Sequence, residues 1–318
     1  MKIIGNAILL TFCVCGAAAH ADNESIALFT KNQTNPFFQS VRLGAQNAAQ
    51  QMHVSVTSYV PTQADSIPEQ MSQIDDVIVK RPSAVVFIPV DFKAMGPGIA
   101  KLNAAKIPAV NITDKASSGD FVSFVGASDY QLGLQTARYL LKSLGGKGNV
   151  IILEGVRGTS TSEERMRGFH DALKEAPGVK VLTSQPGNYQ RMQALQVMEN
   201  LLETYPKVDG ILAANDAMAI GALDALDGAN RKAQVVGING SKEAVDLIKQ
   251  GKLLASGDYS GFQQGCLGVM VAVRALRKEP VPKEISLKTD VVTSANYQAF
   301  DVVPEKMTCP TWAQAVGQ

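Results

Sequence analysis

Short apolar runs alternate with segments of helical periodicity along nearly the whole chain, and this rhythm limits the possible folds more than any other sequence feature. Each run is four to six residues long and has the composition of a strand buried on both faces. Between the runs, apolar residues recur every three or four positions, which is typical of amphipathic helices. The nine predicted strands cover residues 26–30, 54–59, 84–88, 109–112, 121–125, 150–153, 179–183, 210–213 and 235–238.

Regular alternation of strand and helix predicts a doubly wound α/β fold, in which right-handed crossovers place helices on both faces of a parallel sheet. Nine to eleven strands are too many for one ordinary open sheet but fit two sheets of about five or six. We therefore expect two lobes joined by a hinge of several chain crossings, near Gly126, near residues 258–260 and after Asp290. The predicted lobes are an N-terminal lobe of residues 22–126 plus 260–290 and a C-terminal lobe of residues 127–259 plus 291–318.

The first 21 residues have the features of a cleavable export signal. Lys2 provides a positive charge, residues 3–18 are almost wholly apolar, and Ala19-His20-Ala21 fits a small-x-small cleavage site. The apolar run is shorter than the roughly 20 residues that a membrane-spanning helix needs. We expect export and release of a mature chain that begins at residue 22.

Charge and composition narrow the classes of ligand. Lys2 is the only charged residue of the predicted signal, so the mature chain has 30 − 1 = 29 Lys and Arg against 29 Asp and Glu. A nucleic-acid-binding protein would show a basic excess or stripe, so no nucleic-acid partner is expected. The mature chain has two histidines, His53 and His170, and no close cluster of His and Cys, so neither a metal nor another cofactor is expected.

Two cysteines, Cys266 and Cys309, remain after removal of the signal. In an oxidising compartment they could form a disulfide, provided that the fold brings their Cα atoms close enough. Alternatively, Cys266 is a small buried apolar residue and Cys309 an exposed thiol in the tail. The sequence leaves both alternatives open.

Polar and aromatic side chains follow the predicted strands. In open α/β sheets, ligands bind beyond the carboxyl ends of the strands, so these side chains are candidates for one binding site. Asn, Asp and Arg offer paired donors or acceptors to vicinal hydroxyl groups, and aromatic faces can cover the C–H surface of a sugar. The candidate binding residues are Lys31, Asn35, Phe37, Phe38, Thr113, Asp114, Arg165, Tyr189, Asn215, Asn239 and Tyr259.

Each candidate also has an ordinary structural explanation. Asn35 before Pro36 is a common helix start, Asn215 could serve only as a helix N-cap, and a lone Arg165 could be a solvated helix residue. What favours a binding site is that all of them fall at predicted strand ends. The sequence shows no nucleophile, base and acid set, and no Gly-x-Gly-x-x-Gly follows the first strand, so an enzyme is not expected.

Several stretches of the chain recur, in the same order, in one family of binding proteins. They are Asn35-Pro36-Phe37-Phe38, Gly158-Thr159-Ser160, Arg165, Gly168-Phe169, Ser184-Gln185-Pro186, Asn215-Asp216-Ala217-Met218-Ala219 and Val235-Val236-Gly237. At these positions, and along essentially its mature length, the chain resembles the type I periplasmic binding proteins, and within them the ribose-binding group. The resemblance implies a monomeric periplasmic protein that closes around a sugar and delivers it to an ABC transporter permease in the inner membrane.

The resemblance also implies roles for the candidate residues. Phe37 and Phe38 would flank the sugar, Thr113 would contribute from the first lobe and Tyr189 from the second, and Asn239 and Tyr259 would complete the ring of contacts. The residues expected to hydrogen-bond the hydroxyl groups are Asn35, Asp114, Arg165, Asn215 and Asn239.

Some positions depart from the ribose-binding pattern. Ribose binders have Asp-Arg in place of Thr113-Asp114, an aspartate at Asn239, a glutamine at Tyr259 and a small hydroxyl residue at Lys31. Lys31 is similar to a lysine of allose- and arabinose-type relatives. With Lys31 and Arg165 set against Asp114 and Asp258, we expect a balanced site that holds a neutral pentose, hexose or sugar alcohol.

Two other classes of protein share this fold. A sensor that docks on a chemoreceptor would have the same site, and the sequence leaves that role open. A sugar-responsive regulator would carry a DNA-binding helix-turn-helix before the first strand. Here the first strand begins a few residues after the predicted signal, so this second alternative is not favoured.

Overall fold

The structure, a computed structural model, describes residues 24–317, so the predicted signal at residues 1–21 lies outside the described residues. The strands are β1 Ser25–Phe29, β2 Ser55–Tyr59, β3 Ala84–Phe87, β4 Ala109–Ile112, β5 Phe124–Ala127, β6 Lys147–Glu154, β7 Gly178–Pro186, β8 Gly210–Ala213, β9 Gln234–Asn239, β10 Ala255–Asp258, β11 Glu284–Leu287 and β12 Asp290–Thr293. The helices are α1 Pro36–Met52, α2 Ile67–Lys80, α3 Gly96–Ala104, α4 Asp129–Ser143, α5 Ser160–Lys174, α6 Arg191–Thr204, α7 Asp216–Gly228, α8 Lys242–Lys249, α9 Gly261–Leu276 and α10 Trp312–Val316.

The strands form two six-stranded sheets. Their orders are β11-β5-β4-β3-β1-β2 in the first lobe and β12-β10-β9-β8-β6-β7 in the second. Neighbouring strands run parallel, except that β12 pairs antiparallel with β10. The predicted fold of two doubly wound parallel-sheet lobes is therefore confirmed.

The burial of the central strands explains why they were recognisable as apolar runs. Every residue of β3 (AVVF) and β4 (AVNI) is buried, as expected for strands covered by helices on both faces. β11 (EISL) alternates exposed and buried residues and carries no continuous apolar run, which is why the sequence did not reveal it. β11 extends the first sheet by pairing with β5.

Three chain crossings connect the two sheets, and the C-terminal tail then passes back to the first lobe. The chain leaves the first sheet between Ala127 and Asp129, returns between Asp258 and Gly261, and crosses again after β11 and before β12. The third crossing thus comes just before Asp290, whereas the sequence placed it after that residue. Its position follows from β11, which holds residues 284–287 in the first sheet.

The C-terminal tail does not stay with the second lobe. A disulfide joins Cys309 to Cys266 in α9, and the backbone N–H of Cys309 donates to Oδ1 of Asn47 in α1 at 2.9 Å. Both helices pack on the first lobe. Of the two alternatives for the cysteines, the structure shows the disulfide. The sequence assigned residues 291–318 to the second lobe, and the structure differs because this bond ties the tail to the first.

Helices α1 and α9 approach each other through glycine. A Cβ atom on Gly44 would lie 2.0 Å from the carbonyl oxygen of Phe262, and a Cβ on Gly265 would lie 2.0 Å from that of Val41. Backbone atoms cannot rotate away, so the two helices would have to separate.

We therefore expect Gly44→Ala to lower the free energy of unfolding by about 1–3 kcal/mol, as overpacking does in well-packed cores. Urea denaturation of the purified protein measures this. Gly228→Ala is the matched control, because a Cβ at Gly228, the last residue of α7, has no neighbour within 4 Å. Equal effects of the two substitutions would contradict the tight packing of α1 on α9.

Candidate functional site

The carboxyl ends of the two sheets face one cavity between the lobes. The cavity is small, about 30 Å³. All eleven candidate residues from the sequence line this cavity, and Asn32, Asp65 and Thr161 line it as well. The candidates were chosen by the strand-end rule, that ligands bind beyond the carboxyl ends of the strands, and they do lie together at one cavity. Their roles in ligand binding remain predictions.

Aromatic rings form one wall of the cavity. The side chain of Asn35 caps α1 by accepting from the N–H of Phe37 at 3.0 Å, which places Phe37 and Phe38 in the first turn. Phe37 stacks on Tyr259 with ring centroids 5.2 Å apart, and Phe38 packs edge-on against Phe37. Tyr189, from the second lobe, lines the cavity too. These rings offer apolar faces to a ligand from both lobes.

A buried ion pair lies in the second lobe. Nε of Arg165 donates to Oδ1 of Asp129 at 2.8 Å, and Nη1 donates to the carbonyl oxygen of Ala214 at 2.7 Å. The guanidinium also lies over the ring of Tyr259, 4.5 Å from its centroid. Within residues 24–317, no protein acceptor contacts Nη2 of Arg165, so its hydrogens are available to a ligand.

Asp129 rather than Asp258 is the carboxylate that balances Arg165. Asp258 was expected to counter the site cations, but it lies outside this cavity, and its carboxylate accepts from the N–H of Ser260 at 2.9 Å. That prediction was wrong because the carboxylate turns back to its own loop. Asp129 follows the carboxyl end of β5, so the strand-end rule could have found it.

Burial raises the pKa of Asp129 from its ordinary value of 3.8 to about 6, although the neighbouring Arg165 and a hydrogen bond from Tyr259 oppose the shift. The folded protein therefore binds this proton more tightly than the unfolded chain. We expect Asp129 to make the protein more stable as the pH falls from about 6 to about 4, by at most about 3 kcal/mol.

Urea titrations at pH 4.5 and 7.5 measure this dependence, and Asp129→Asn should reduce it. Because Asp216 and Asp258 also have raised pKa values caused by burial, the difference between wild type and variant isolates the contribution of Asp129. An identical pH dependence in both proteins would contradict the assignment.

A second buried ion pair lies in the first lobe. Nζ of Lys31 donates to Oδ2 of Asp114 at 2.9 Å, and both side chains are almost fully buried. Burial alone would lower the pKa of Lys31, but Asp114 and Asp65 outweigh it and raise the pKa. Asp65 accepts from Asn32 through both carboxylate oxygens, at 3.3 and 3.4 Å, and burial raises its pKa. Lys31 is therefore a charged donor at the cavity wall.

Three site residues, Thr113, Tyr189 and Asn239, have positive φ angles, and two of them lie in the left-handed region. Thr113 has φ 67° and Tyr189 has φ 60°, both in the left-handed region that β-branched and bulky residues rarely adopt. Thr113 is held there from two sides: its carbonyl oxygen lies 3.0 Å from the hydroxyl of Tyr259, which shares its one hydrogen between this oxygen and Oδ2 of Asp129, and its own hydroxyl donates to Gln264 at 2.8 Å. Strain of this kind persists where surrounding contacts fix it, and it concentrates at binding sites.

Comparison with known proteins identifies the family. Residues 26–280 match the periplasmic binding protein domain. The chain is 33% identical over 293 residues to the ribose import binding protein RbsB of Haemophilus influenzae, an alignment that covers 92% of this chain and 99% of that one. This chain belongs to the periplasmic binding protein family. The chain is also similar to the xylitol-binding protein of Mycolicibacterium smegmatis, with 28% identity over 295 residues, which cover 91% of this chain and 84% of that one.

Solved structures of periplasmic binding proteins have the same architecture. A solute-binding protein of an ABC transporter from Actinobacillus succinogenes, with bound D-allose, matches with a TM-score of 0.82 and 31% identity, covering 86% of this chain and 99% of that one. A carbohydrate-binding relative from Agrobacterium radiobacter, in complex with D-arabinose, gives 0.83 and 25% identity, over 89% and 100% of the two chains. The similarity extends over both lobes.

Two features are absent from residues 24–317. Within this part of the chain, no group of three or more His, Cys, Asp or Glu side chains is arranged to hold a metal ion. In the same residues, no helix has both the length and the apolar character needed to cross a membrane.

Proposed function

We propose that this protein is a periplasmic solute-binding protein that captures a neutral monosaccharide or sugar alcohol for an ABC importer. The observation that carries the proposal is the cavity itself, in which charged and amide groups from both lobes surround a small volume next to aromatic faces. Relatives named for ribose and xylitol, and solved structures with allose and arabinose, support this class of ligand. We further propose that the protein acts as a monomer and delivers its ligand to an inner-membrane permease.

The charges at the site favour a neutral ligand over a sugar acid. The wall carries two cations, Lys31 and Arg165, while Asp65 and Asp114 also line it and Asp129 contacts Arg165. Three carboxylates near two cations would repel a ligand carboxylate. Each cation is already paired with an aspartate, which leaves partly used donors and acceptors that suit hydroxyl groups.

Binding by both lobes explains how affinity and closure are coupled. A micromolar dissociation constant corresponds to about 8 kcal/mol of binding free energy. A sugar has little apolar surface, so hydrogen bonds to charged groups, each worth about 1.5–3 kcal/mol, must supply much of it. Contacts to both lobes exist only when the lobes are closed, so the ligand stabilises the closed state, which a permease can recognise.

A thermal-shift screen of the mature protein against pentoses, hexoses and polyols tests the proposal. A ligand at 100 times its dissociation constant stabilises the folded state by about 2.7 kcal/mol, which a melting curve detects. The matched control is an aldonic acid of the same carbon number, which should produce no shift. If amino acids or purines raise the melting temperature and no sugar or polyol does, the ligand class is wrong.

A further inference from the structure

Asp114 lies where the two lobes meet. It follows β4 in the first lobe, and its side chain is 3% exposed. Its Oδ2 accepts from Lys31 of the same lobe. The other oxygen, Oδ1, faces the second lobe, so the two halves of this carboxylate have different partners.

The partners of Oδ1 are in the first turn of α5, in the second lobe. The backbone N–H of Thr161 donates to Oδ1 at 3.2 Å and its hydroxyl at 2.9 Å, while the hydroxyl of Ser160 lies 3.4 Å away. The hydroxyl of Tyr189 in turn donates to that of Thr161 at 3.3 Å. A carboxylate of the first lobe thus sits on the N-terminus of a helix of the second, where the helix dipole favours negative charge.

Few acceptor positions of Asp114 remain for a ligand. Each carboxylate oxygen has about two lone-pair sites: three donor groups of Thr161 and Ser160 surround Oδ1, and Lys31 takes one of the two sites of Oδ2. The neighbouring backbone joins the same contact: the N–H of Lys115 donates to the hydroxyl of Ser160 at 2.9 Å, and that of Phe92 to the carbonyl oxygen of Gly158 at 3.0 Å.

We propose that Asp114 is an interlobe latch, a positioning residue that holds the lobes together by binding the N-terminus of α5 instead of a ligand hydroxyl. The contact can form only when the cleft is closed, and charge-assisted hydrogen bonds are among the stronger ones. The latch therefore contributes to ligand affinity through the closed state. This inference rests on the proposed function, because the closed state that the latch stabilises is the state that encloses a ligand.

A double-mutant cycle tests the latch from both lobes. Asp114→Asn removes the charge, and Thr161→Val removes one donor while leaving the Lys31–Asp114 pair intact. We expect each variant to weaken binding of the best sugar or polyol by about 10-fold or more. The double variant should lose much less than the product of the two effects, because both break the same contact. Glu163→Gln, an exposed residue in the same turn, is the control and should bind normally.

The distribution of interlobe distances without ligand, measured with spin labels on the two lobes, gives a second readout. Both latch variants should reduce the compact population at least about threefold relative to wild type, whereas a residue that contacts only the ligand would leave it unchanged. The latch would be overturned if the loss of affinity in the double variant equals the product of the two single losses and the compact population is unchanged in both single variants. If no sugar or polyol binds even the wild type, the proposed function fails, and the distance measurement still decides on the latch.

An independent observation concerns the tail that follows β12. The carboxylate of Asp301 pairs with Lys242 at 3.0 Å and Lys249 at 3.1 Å, both in α8 of the second lobe. Eight residues further on, Cys309 is bonded to α9 on the first lobe, and Arg274 of α9 lies 4.4 Å from the ring of Trp312. Residues 302–308 therefore span the hinge between two anchors, one on each lobe.

We propose that this tail is a strap that limits how far the lobes can separate. The eight Cα–Cα steps from Asp301 to Cys309 extend at most about 29 Å, so a chain held at both ends restricts the open state more than the closed state. Restricting the open ensemble lowers its entropy and so favours closure.

Release of either anchor tests the strap. Cys266→Ser with Cys309→Ser removes the covalent bond at the first-lobe end, and Asp301→Asn weakens the second-lobe end while the disulfide stays intact. Both should broaden the interlobe distances of the ligand-free protein toward larger values and weaken ligand binding severalfold. Glu305→Gln, within the span, is the control and should leave the distances unchanged. Distances that stay the same in both anchor variants would overturn the strap.

Discussion

Arg165→Ala is expected to weaken ligand binding by more than about 100-fold, because at least two charge-assisted hydrogen bonds of about 1.5 kcal/mol or more each are lost. The side chain of Arg165 is 3% exposed and lines the cavity. Its Nε and Nη1 are held by Asp129 and by the carbonyl oxygen of Ala214, which aligns the remaining donors. Isothermal titration with the tightest sugar or polyol measures the loss.

The same substitution should also destabilise the protein. It leaves Asp129 buried without its cation, and breaking a buried ion pair in this way costs about 3–5 kcal/mol. Adding Asp129→Asn removes the stranded charge, so Arg165→Ala with Asp129→Asn should recover most of the stability and none of the affinity. This double variant separates binding from folding.

A matched control lies two residues along the same helix. Arg167 is exposed and pairs with Glu164 at the surface, so Arg167→Ala should change neither affinity nor stability appreciably. Full affinity in the double variant at Arg165 and Asp129 would remove Arg165 from the site. Loss of affinity in Arg167→Ala would instead indicate an effect of helix α5 as a whole.

The sequence contains enough information to predict the fold and the gathering of the site residues, because both depend on local patterns. Buried parallel strands carry continuous apolar runs, and ligand groups follow the strands directly. Asp65 is a cavity residue that does not directly follow a strand, so this pattern could not predict it. It lies six residues beyond β2, in a loop whose return to Asn32 and the cavity depends on tertiary packing rather than on spacing.

The contacts between the two lobes also could not be predicted from the sequence. The family pattern implies that Asp114 binds a sugar hydroxyl, but only the structure shows that its Oδ1 is taken by the first turn of α5. In the same way, residue types suggested that Asp258 balances the charge of the site, whereas side-chain direction gives that position to Asp129. The identity of a residue determines which hydrogen bonds and ion pairs its side chain can form. Which partners it contacts depends on the geometry of the cleft.

The disulfide gives the other large expected effect. Cys266 and Cys309 are separated by 43 positions, and neither a turn nor a spacing in the sequence brings them together. In the chain-entropy description, a crosslink that closes a loop of this length stabilises the folded protein by about 4 kcal/mol. We therefore expect Cys266→Ser with Cys309→Ser to lower the free energy of unfolding by about that amount.

Urea unfolding of the oxidised wild type and the double variant measures the difference, and Asp301→Asn provides the comparison that makes it informative. Asp301 anchors the same tail through ion pairs that solvent reaches, so its loss should cost about 1 kcal/mol or less while still loosening the hinge. If the disulfide only stabilises the first lobe, the interlobe distances will change in the cysteine variant alone, and in proportion to the stability that this variant loses. If the tail is a strap, Asp301→Asn will loosen the hinge with little loss of stability, because the constraint fails as soon as either end is released.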